Sequence, residues 1–89
     1  MAMTLGELGD VTRADVILRR YAGQGNRWTC SLERAEIQEG GILISAYGNA
    51  ASATEAIADY VSKIRGKTLV FNAMNAARRE FGVPATLES

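Results

Sequence analysis

The one strong nucleophile among the side chains is the thiol of Cys30, and the sequence contains no histidine. A cysteine nucleophile needs a base within reach. Cys30 stands between Trp28 and Leu32 in an alternating segment, on the side expected to face the core, so we interpret it as a small buried apolar residue. Counting alone excludes a His-based triad, a His/Cys zinc site and an intramolecular disulfide. We therefore predict no catalytic residue, no metal and no cofactor, and expect that the protein is not an enzyme.

Carboxylates are the remaining candidates for acid–base or hard-metal chemistry. Glu33 and Glu36 have opposite parity on an extended chain, so they are not expected to converge on one ion. Glu55 and Asp59 fall in a predicted helix, where a cap and an ion pair use them. These carboxylates are predicted to be solvated surface groups.

Arginines and aromatic residues give a stronger indication, which is of a binding surface. Ten Lys and Arg balance ten Asp and Glu, and this zero net charge removes the simple argument for non-specific nucleic-acid binding. Arg and aromatic residues are enriched in protein interfaces. The predicted partner-binding residues are Arg19, Arg20, Tyr21, Arg27, Tyr47, Arg78 and Arg79. Two alternatives remain open: the same residues form a platform for single-stranded nucleic acid, or the arginines pair with glutamates on neighbouring strands.

Alternation of apolar and polar residues predicts the strands that position this surface. It begins at Ala14, breaks at the glycine-containing turn of residues 23–26 and resumes over residues 28–32, which predicts a β-hairpin. A second turn at residues 38–41 leads into a third strand over residues 42–47. The expected result is a three-stranded meander.

The period then changes to that of a helix. Ser52 and Glu55 form a capping-box pattern, and apolar residues at i, i+3, i+4 and i+7 predict a helix over residues 52–65, closed by Gly66. Residues 68–72 predict a fourth strand. Residues 73–79 fit either a turn before a last strand at residues 80–83, which is favoured, or a short helix.

The order β-β-β-α-β-β predicts an α+β fold, a two-layer sandwich in which an antiparallel sheet of four to five strands carries one helix on one face. A single domain is expected over residues 1–89, with residues 1–10 a loose N-terminal lead-in and residues 85–89 a frayed tail. The uncovered sheet face includes Ile17, Tyr21 and either Leu43 or Tyr47, so a homo-oligomer such as a homodimer is a further expectation.

Cysteine usage and hydropathy predict the compartment. One thiol suits a reducing cytosol, and the first ten residues lack the basic start and apolar run of a signal peptide. The apolar stretches at residues 42–44 and 69–71 are too short to cross a bilayer. We expect a cytoplasmic protein with no membrane partner.

Four segments, at residues 45–49, 52–65, 66–73 and 78–84, resemble small proteins of phage and prophage genomes, and the resemblance extends from about Trp28 to Pro84. It implies a non-enzymatic accessory protein in the cytoplasm of a bacterial host, one that binds and inhibits a host protein complex, with anti-CRISPR or other anti-defence activity. The neutral charge favours steric or allosteric obstruction over mimicry of nucleic acid. The alternatives are a small nucleic-acid-binding domain that uses the arginine clusters and an oligomer that holds a nucleotide signal.

Overall fold

The computed structural model describes residues 2–89, in which the chain forms two helices and seven strands. In chain order these are α1 (Leu5–Thr12), β1 (Val16–Arg20), β2 (Trp28–Leu32), β3 (Ala35–Glu39), β4 (Ile42–Ile44), β5 (Gly48–Ala50), α2 (Ala53–Ile64), β6 (Thr68–Phe71) and β7 (Arg79–Gly82). The strands build two antiparallel sheets, with the orders β1-β2-β5 and β4-β3-β6-β7. The predicted α+β class is confirmed, although two sheets and two helices stand where one of each was expected.

The division into two sheets originates at residues 33 and 34. Inward-facing residues are even-numbered in β2, with Cys30 and Leu32 buried, and odd-numbered in β3, where Ile37 is buried. A two-residue turn with Arg34 in the left-handed region (φ 58°) makes this change of parity and sends β3 into the other sheet. The predicted meander was wrong for this reason. Of the expected third strand at residues 42–47, only residues 42–44 form a strand, β4; residues 45–47 connect it to β5, which belongs to the other sheet.

The two predicted hairpins at either end of the chain are confirmed. β1 pairs with β2 from Val16↔Leu32 to Arg20↔Trp28, around a turn in which Gly23 and Gly25 take positive φ. β6 pairs with β7 from Thr68↔Gly82 to Phe71↔Arg79. Of the two interpretations of residues 73–79, the turn followed by a strand is therefore the correct one.

Helix α2 covers one face of the three-stranded sheet, as its sequence predicted. The Ser52 hydroxyl accepts the Glu55 N–H at 3.2 Å, and Gly66 takes a positive φ of 69° beyond the last turn. Tyr60, Val61 and Ile64 are buried along one side of the helix. Because β5 lies directly under α2, a Cβ on Gly48 would overlap the Ala56 carbonyl oxygen and lie 2.6 Å from the Tyr60 nitrogen, so only glycine fits there.

Met1 of the expected loose lead-in lies outside the described residues; the rest of the lead-in and the expected frayed tail are both ordered parts of the fold. Residues 5–12 form α1, which a capping box opens: Glu7 N–H donates to Thr4 Oγ1 at 3.2 Å, and Thr4 N–H donates to Glu7 Oε1 at 3.0 Å. Leu5 and Leu87 are buried. Leu5 N–H donates to the Glu88 carbonyl at 2.8 Å, which ties the two ends of the chain together. Burial of these two leucines explains the order of both segments.

One core lies between the two sheets and the helices. It contains Leu5 and Leu8 from α1, Cys30 and Leu32 from β2, Ile37 from β3, Ala56, Tyr60, Val61 and Ile64 from α2, Leu69 and Phe71 from β6, and Val83 and Leu87. No element supplies more than four of these side chains, so this small core depends on several elements packing together. Over residues 2–89, no helix has the length and hydropathy that a bilayer span requires.

Candidate functional site

A groove of ≈ 610 Å³ runs between the face of the three-stranded sheet that α2 does not cover and the turns of the other sheet. β1 supplies Ile17, Arg19 and Tyr21 to one wall. The opposite side is built from residues 33–36, 45–47 and 72–75, which belong to three connecting segments and the start of β3. The separation into two sheets therefore creates the groove.

The β1 wall presents its odd-numbered side chains because strand residues alternate between faces. Two guanidinium groups lie over the ring of Tyr21, with Arg19 Cζ 4.9 Å and Arg27 Cζ 5.6 Å from its centroid. Arg27 also donates to Asn49 Oδ1 at 3.3 Å. These contacts hold an arginine–tyrosine cluster at one end of the groove, with stacking attractions of about 0.5–1 kcal/mol each at exposed sites.

The opposite wall contains two residues other than glycine in the left-handed region, Arg34 (φ 58°) and Asn72 (φ 54°). Asn72 N–H donates to the Arg34 carbonyl at 3.2 Å, so the two turns support each other. Asparagine tolerates this conformation, whereas for arginine it costs about 1–2 kcal/mol. Backbone strain of this kind concentrates at functional sites.

Several apolar side chains at the groove are exposed. Ile17 is 43% exposed, Tyr47 52% and Met74, on the turn between β6 and β7, 94%. Lys63 Nζ donates to the Tyr47 carbonyl at 2.8 Å and so fixes the segment that carries this tyrosine to α2. A flexible methionine and a held tyrosine are side chains that bind protein surfaces well.

Both signs of charge line the groove. Arg19 and Arg34 supply the positive charges, and Glu33 and Glu36 supply the negative ones. Arg34 Nη1 lies 3.8 Å from Glu33 Oε1, an exposed ion pair. The groove is therefore not a uniformly positive channel of the kind that follows a phosphate backbone.

The structure brings together only some of the seven predicted site residues. Arg19, Tyr21 and Tyr47 line the groove, and Arg27 stacks beside them. Arg20 belongs to the opposite face of β1, where its guanidinium donates to the Gly25 carbonyl at 3.5 Å.

The two late arginines lie on or beside β7, in the other sheet, and do not line the groove. Arg78 pairs with Glu80 at 3.7 Å, and the Arg79 Cζ lies 5.2 Å from the centroid of the Phe71 ring. The early and late arginines therefore do not form one set of groove-lining residues.

Sequence reasoning missed Arg34, Asn72 and Met74 as groove residues. A signal for the first was present: apolar positions are even up to Leu32 and odd from Ala35, and a shift of parity across two polar residues is typical of a tight turn. No local pattern brings Asn72 and Met74 to the same groove, because their position depends on the pairing of β3 with β6.

Burial shifts the pKa of two side chains in the core, Cys30 and Tyr60. Burial raises the pKa of the Cys30 thiol to about 11, which keeps it protonated at neutral pH and a poor nucleophile. Burial also raises the pKa of Tyr60, whose hydroxyl accepts the Leu32 N–H at 3.1 Å. Among residues 2–89, no three side chains of His, Cys, Asp or Glu come together as a metal site.

No protein-family model matches the chain, and neither curated proteins nor solved structures give a match.

Proposed function

We propose that this is a non-enzymatic binding protein and that the groove between its sheets recognises a protein partner. The observation that carries the proposal is the presence, around one groove, of Arg19, Tyr21 and Tyr47 together with the exposed side chains of Ile17 and Met74. Tyrosine, arginine and methionine are the residue types that protein interfaces enrich, and tyrosine and arginine are common among binding hot spots.

The charge of the groove favours protein over nucleic acid as its partner. Binding to a phosphate backbone depends on several cations that displace counterions. Here Glu33 and Glu36 stand in the same groove as Arg19 and Arg34 and would repel phosphates. A protein surface offers both signs of charge, and the mixed lining suits it.

Inhibition of a host protein complex is the more specific role that we propose, with anti-CRISPR or another anti-defence activity as its form. The resemblance of residues 28–84 to small phage and prophage proteins supports it. A neutral chain acts in this role by occupying or distorting a protein surface, since it lacks the negative charge with which a nucleic-acid mimic competes.

The test is affinity capture from bacterial lysate with the tagged protein, with and without nuclease, followed by mass spectrometry. The expected result is one protein complex that is recovered with and without nuclease and that, once purified, binds the wild type directly. Y47A/M74A should bind this complex at least about tenfold more weakly, because truncating hot-spot residues lowers affinity by that much. The I42A variant is the control, because Ile42 is 63% exposed but lies outside the groove.

Other outcomes would contradict the proposal. Capture that disappears with nuclease, together with salt-dependent binding of a labelled single-stranded oligonucleotide, would identify a nucleic-acid-binding domain instead. A captured complex bound equally well by Y47A/M74A and the wild type would exclude the groove as the binding site.

A further inference from the structure

β1 is a free edge of the three-stranded sheet, and the hydrogen bonds of its hairpin identify which backbone groups face outward. Tyr21 N–H donates to the Arg27 carbonyl at 3.0 Å, and Glu33 N–H donates to the Asp15 carbonyl at 2.9 Å. In an antiparallel pair the bonded positions alternate, so the odd residues from 15 to 21 bond to β2. The N–H and C=O groups of Val16, Leu18 and Arg20 therefore point away from the sheet, and no hydrogen bond within residues 2–89 reaches them.

The same edge is apolar and exposed. Val16 is 36% exposed, Ile17 43% and Leu18 41%, three consecutive large hydrophobic residues on a strand with no outer neighbour. Folded proteins commonly block such edges with charges, bulges or covering elements, because an open edge pairs with further strands. On β1, Val16, Ile17 and Leu18 carry none of these devices, and the charged residues Arg19 and Arg20 stand at one end of the strand.

The other edges are short or protected. On β5, the outward N–H of Asn49 is occupied by the carboxylate of Asp59 at 2.8 Å. The β7 edge carries the Arg78–Glu80 ion pair, and β4 has only three residues. β1 is the edge of this molecule with the length, exposure and free hydrogen-bonding groups to accept another strand.

We propose that β1 pairs antiparallel with β1 of a second copy, with Ile17 of each chain opposite Ile17 of the other. Val16 of one chain then faces Leu18 of its partner, and each of these two pairs exchanges both backbone hydrogen bonds. Val16 and Leu18 of both chains also form an apolar cluster on the α2 side of the joined sheets, removing exposed hydrophobic surface from water.

Charge complementarity selects this register. Asp15 and Arg19 stand two residues before and after Ile17 and share its face of the strand. Antiparallel pairing about Ile17 places Asp15 of each chain directly opposite the partner's Arg19, which gives two symmetric ion pairs. Neither side chain has an ion-pair partner within residues 2–89. Pairing about Leu18 would instead leave Asp15 opposite tyrosine and Arg19 opposite isoleucine.

The dimer would join the two three-stranded sheets into one, with a two-fold axis at Ile17. Ile17, Arg19 and Tyr21 line the groove, so the two grooves would lie side by side on the same face of the joined sheet. Such a dimer presents two identical grooves to a partner. A partner that occupies both grooves at once would be bound with higher avidity, although each groove makes the same contacts as before. The dimer itself does not depend on what the groove binds.

Analytical ultracentrifugation and light scattering test the proposal. The wild type is expected at twice its 9.6 kDa monomer mass, in a concentration-dependent equilibrium. D15R and R19D each place like charges opposite one another in both ion pairs and should weaken dimerisation by at least about tenfold. Mixing D15R with R19D should restore a dimer, because every cross-pair is then of opposite charge.

R20D is the matched control. It makes the same change of charge as R19D on the same strand, but on the opposite face and away from the proposed ion pairs, so it should dimerise as the wild type does. Circular dichroism checks that every variant is folded. A wild type that stays monomeric at the highest soluble concentration would overturn the proposal, and so would a dimer that D15R and R19D leave intact.

Discussion

The two edges of the three-stranded sheet differ in how their backbone groups are satisfied. On the β5 side, helix α2 supplies side-chain acceptors: Asp59 Oδ2 receives the Asn49 N–H at 2.8 Å, and the Tyr60 hydroxyl receives the Leu32 N–H at 3.1 Å, beyond the point where β5 ends. On the β1 side, nothing within the described chain meets the outward groups. A sheet of three strands is thus closed on one side by a helix and open on the other.

This difference shows that a helix can end a sheet through two side-chain oxygens without a further strand. With the dimer proposed above, the two edges would divide their roles: the β5 side would contribute to the stability of the monomer and the β1 side to contact with the second copy.

Gly48→Ala should disrupt the closed edge most. The new methyl group would overlap the Ala56 carbonyl oxygen and crowd the Tyr60 nitrogen, so α2 would have to move off β5. We expect a loss of about 3 kcal/mol or more in the free energy of unfolding, measured by urea denaturation. Gly82→Ala is the control, because a Cβ there meets nothing within 4 Å. Equal stability of the two variants would refute the tight packing of α2 on β5.

Tyr60→Phe removes only the hydroxyl that accepts the Leu32 N–H. That buried N–H then has no acceptor, and we expect a loss of about 1–3 kcal/mol in the same measurement. Tyr47→Phe makes the same change at a residue that is 52% exposed and should alter stability by less than about 0.5 kcal/mol. If the two substitutions have the same effect, the hydroxyl does not close the sheet edge.

Asp59→Asn tests the other acceptor and its pH dependence. The Asn49 N–H and then the Lys63 ammonium hold the pKa of Asp59 below its ordinary value. A lowered folded-state pKa adds stability above the unfolded-state pKa, and this contribution is lost as pH falls through the folded-state value. We expect Asp59→Asn to cost about 0.5 kcal/mol at neutral pH, because the site is partly exposed, and the difference from wild type to vanish in acid. A difference from wild type that persists unchanged in acid would contradict this role for the Asp59 carboxylate.

Leu18→Thr on the open edge should have the smallest effect on the monomer. Leu18 is 41% exposed, and the change should alter the free energy of unfolding by less than about 0.5 kcal/mol in dilute protein. Leu32→Thr, at a buried position of the neighbouring strand, should cost several times more. Similar losses for the two variants would mean that β1 contributes as much to the monomer core as β2 does.

Local patterns were sufficient for part of the fold. The capping serine and the apolar stripe of α2 lie within one segment of the sequence. The alternation and the glycine turn of the first hairpin also lie within one segment. Neither the helix nor the hairpin needs information from elsewhere in the chain. The β3 strand was missed because its sequence, Ala35–Glu39, has one strongly hydrophobic residue, Ile37. Besides the neighbouring β4, it pairs with β6, whose paired residues lie 30 to 36 positions further along the chain. Helix α1 was missed because its two glycines lower the helix propensity of the segment, although the Thr4–Glu7 capping box marks its start.

The candidate site was less predictable than the fold. Arg19, Tyr21 and Tyr47 were identified from residue type alone, since aromatic and arginine side chains are typical of interfaces. Their position at one groove follows from the division into two sheets, which places the turn at residues 72–75 opposite β1. Long-range strand pairing of this kind leaves no local sequence pattern. The sequence therefore could not show that Arg78 and Arg79 lie outside the groove.

Because Cys30 is buried in the sheet, the reactivity of its thiol measures how often the sheet opens. The single thiol of the chain lies with no exposed surface in the central strand, between the closed and the open edge. A thiol reagent therefore reacts only when this region opens, and the rate of labelling measures the population of the opened state when closing is fast. Dimerisation through β1 should slow that labelling, whereas Gly48→Ala should accelerate it.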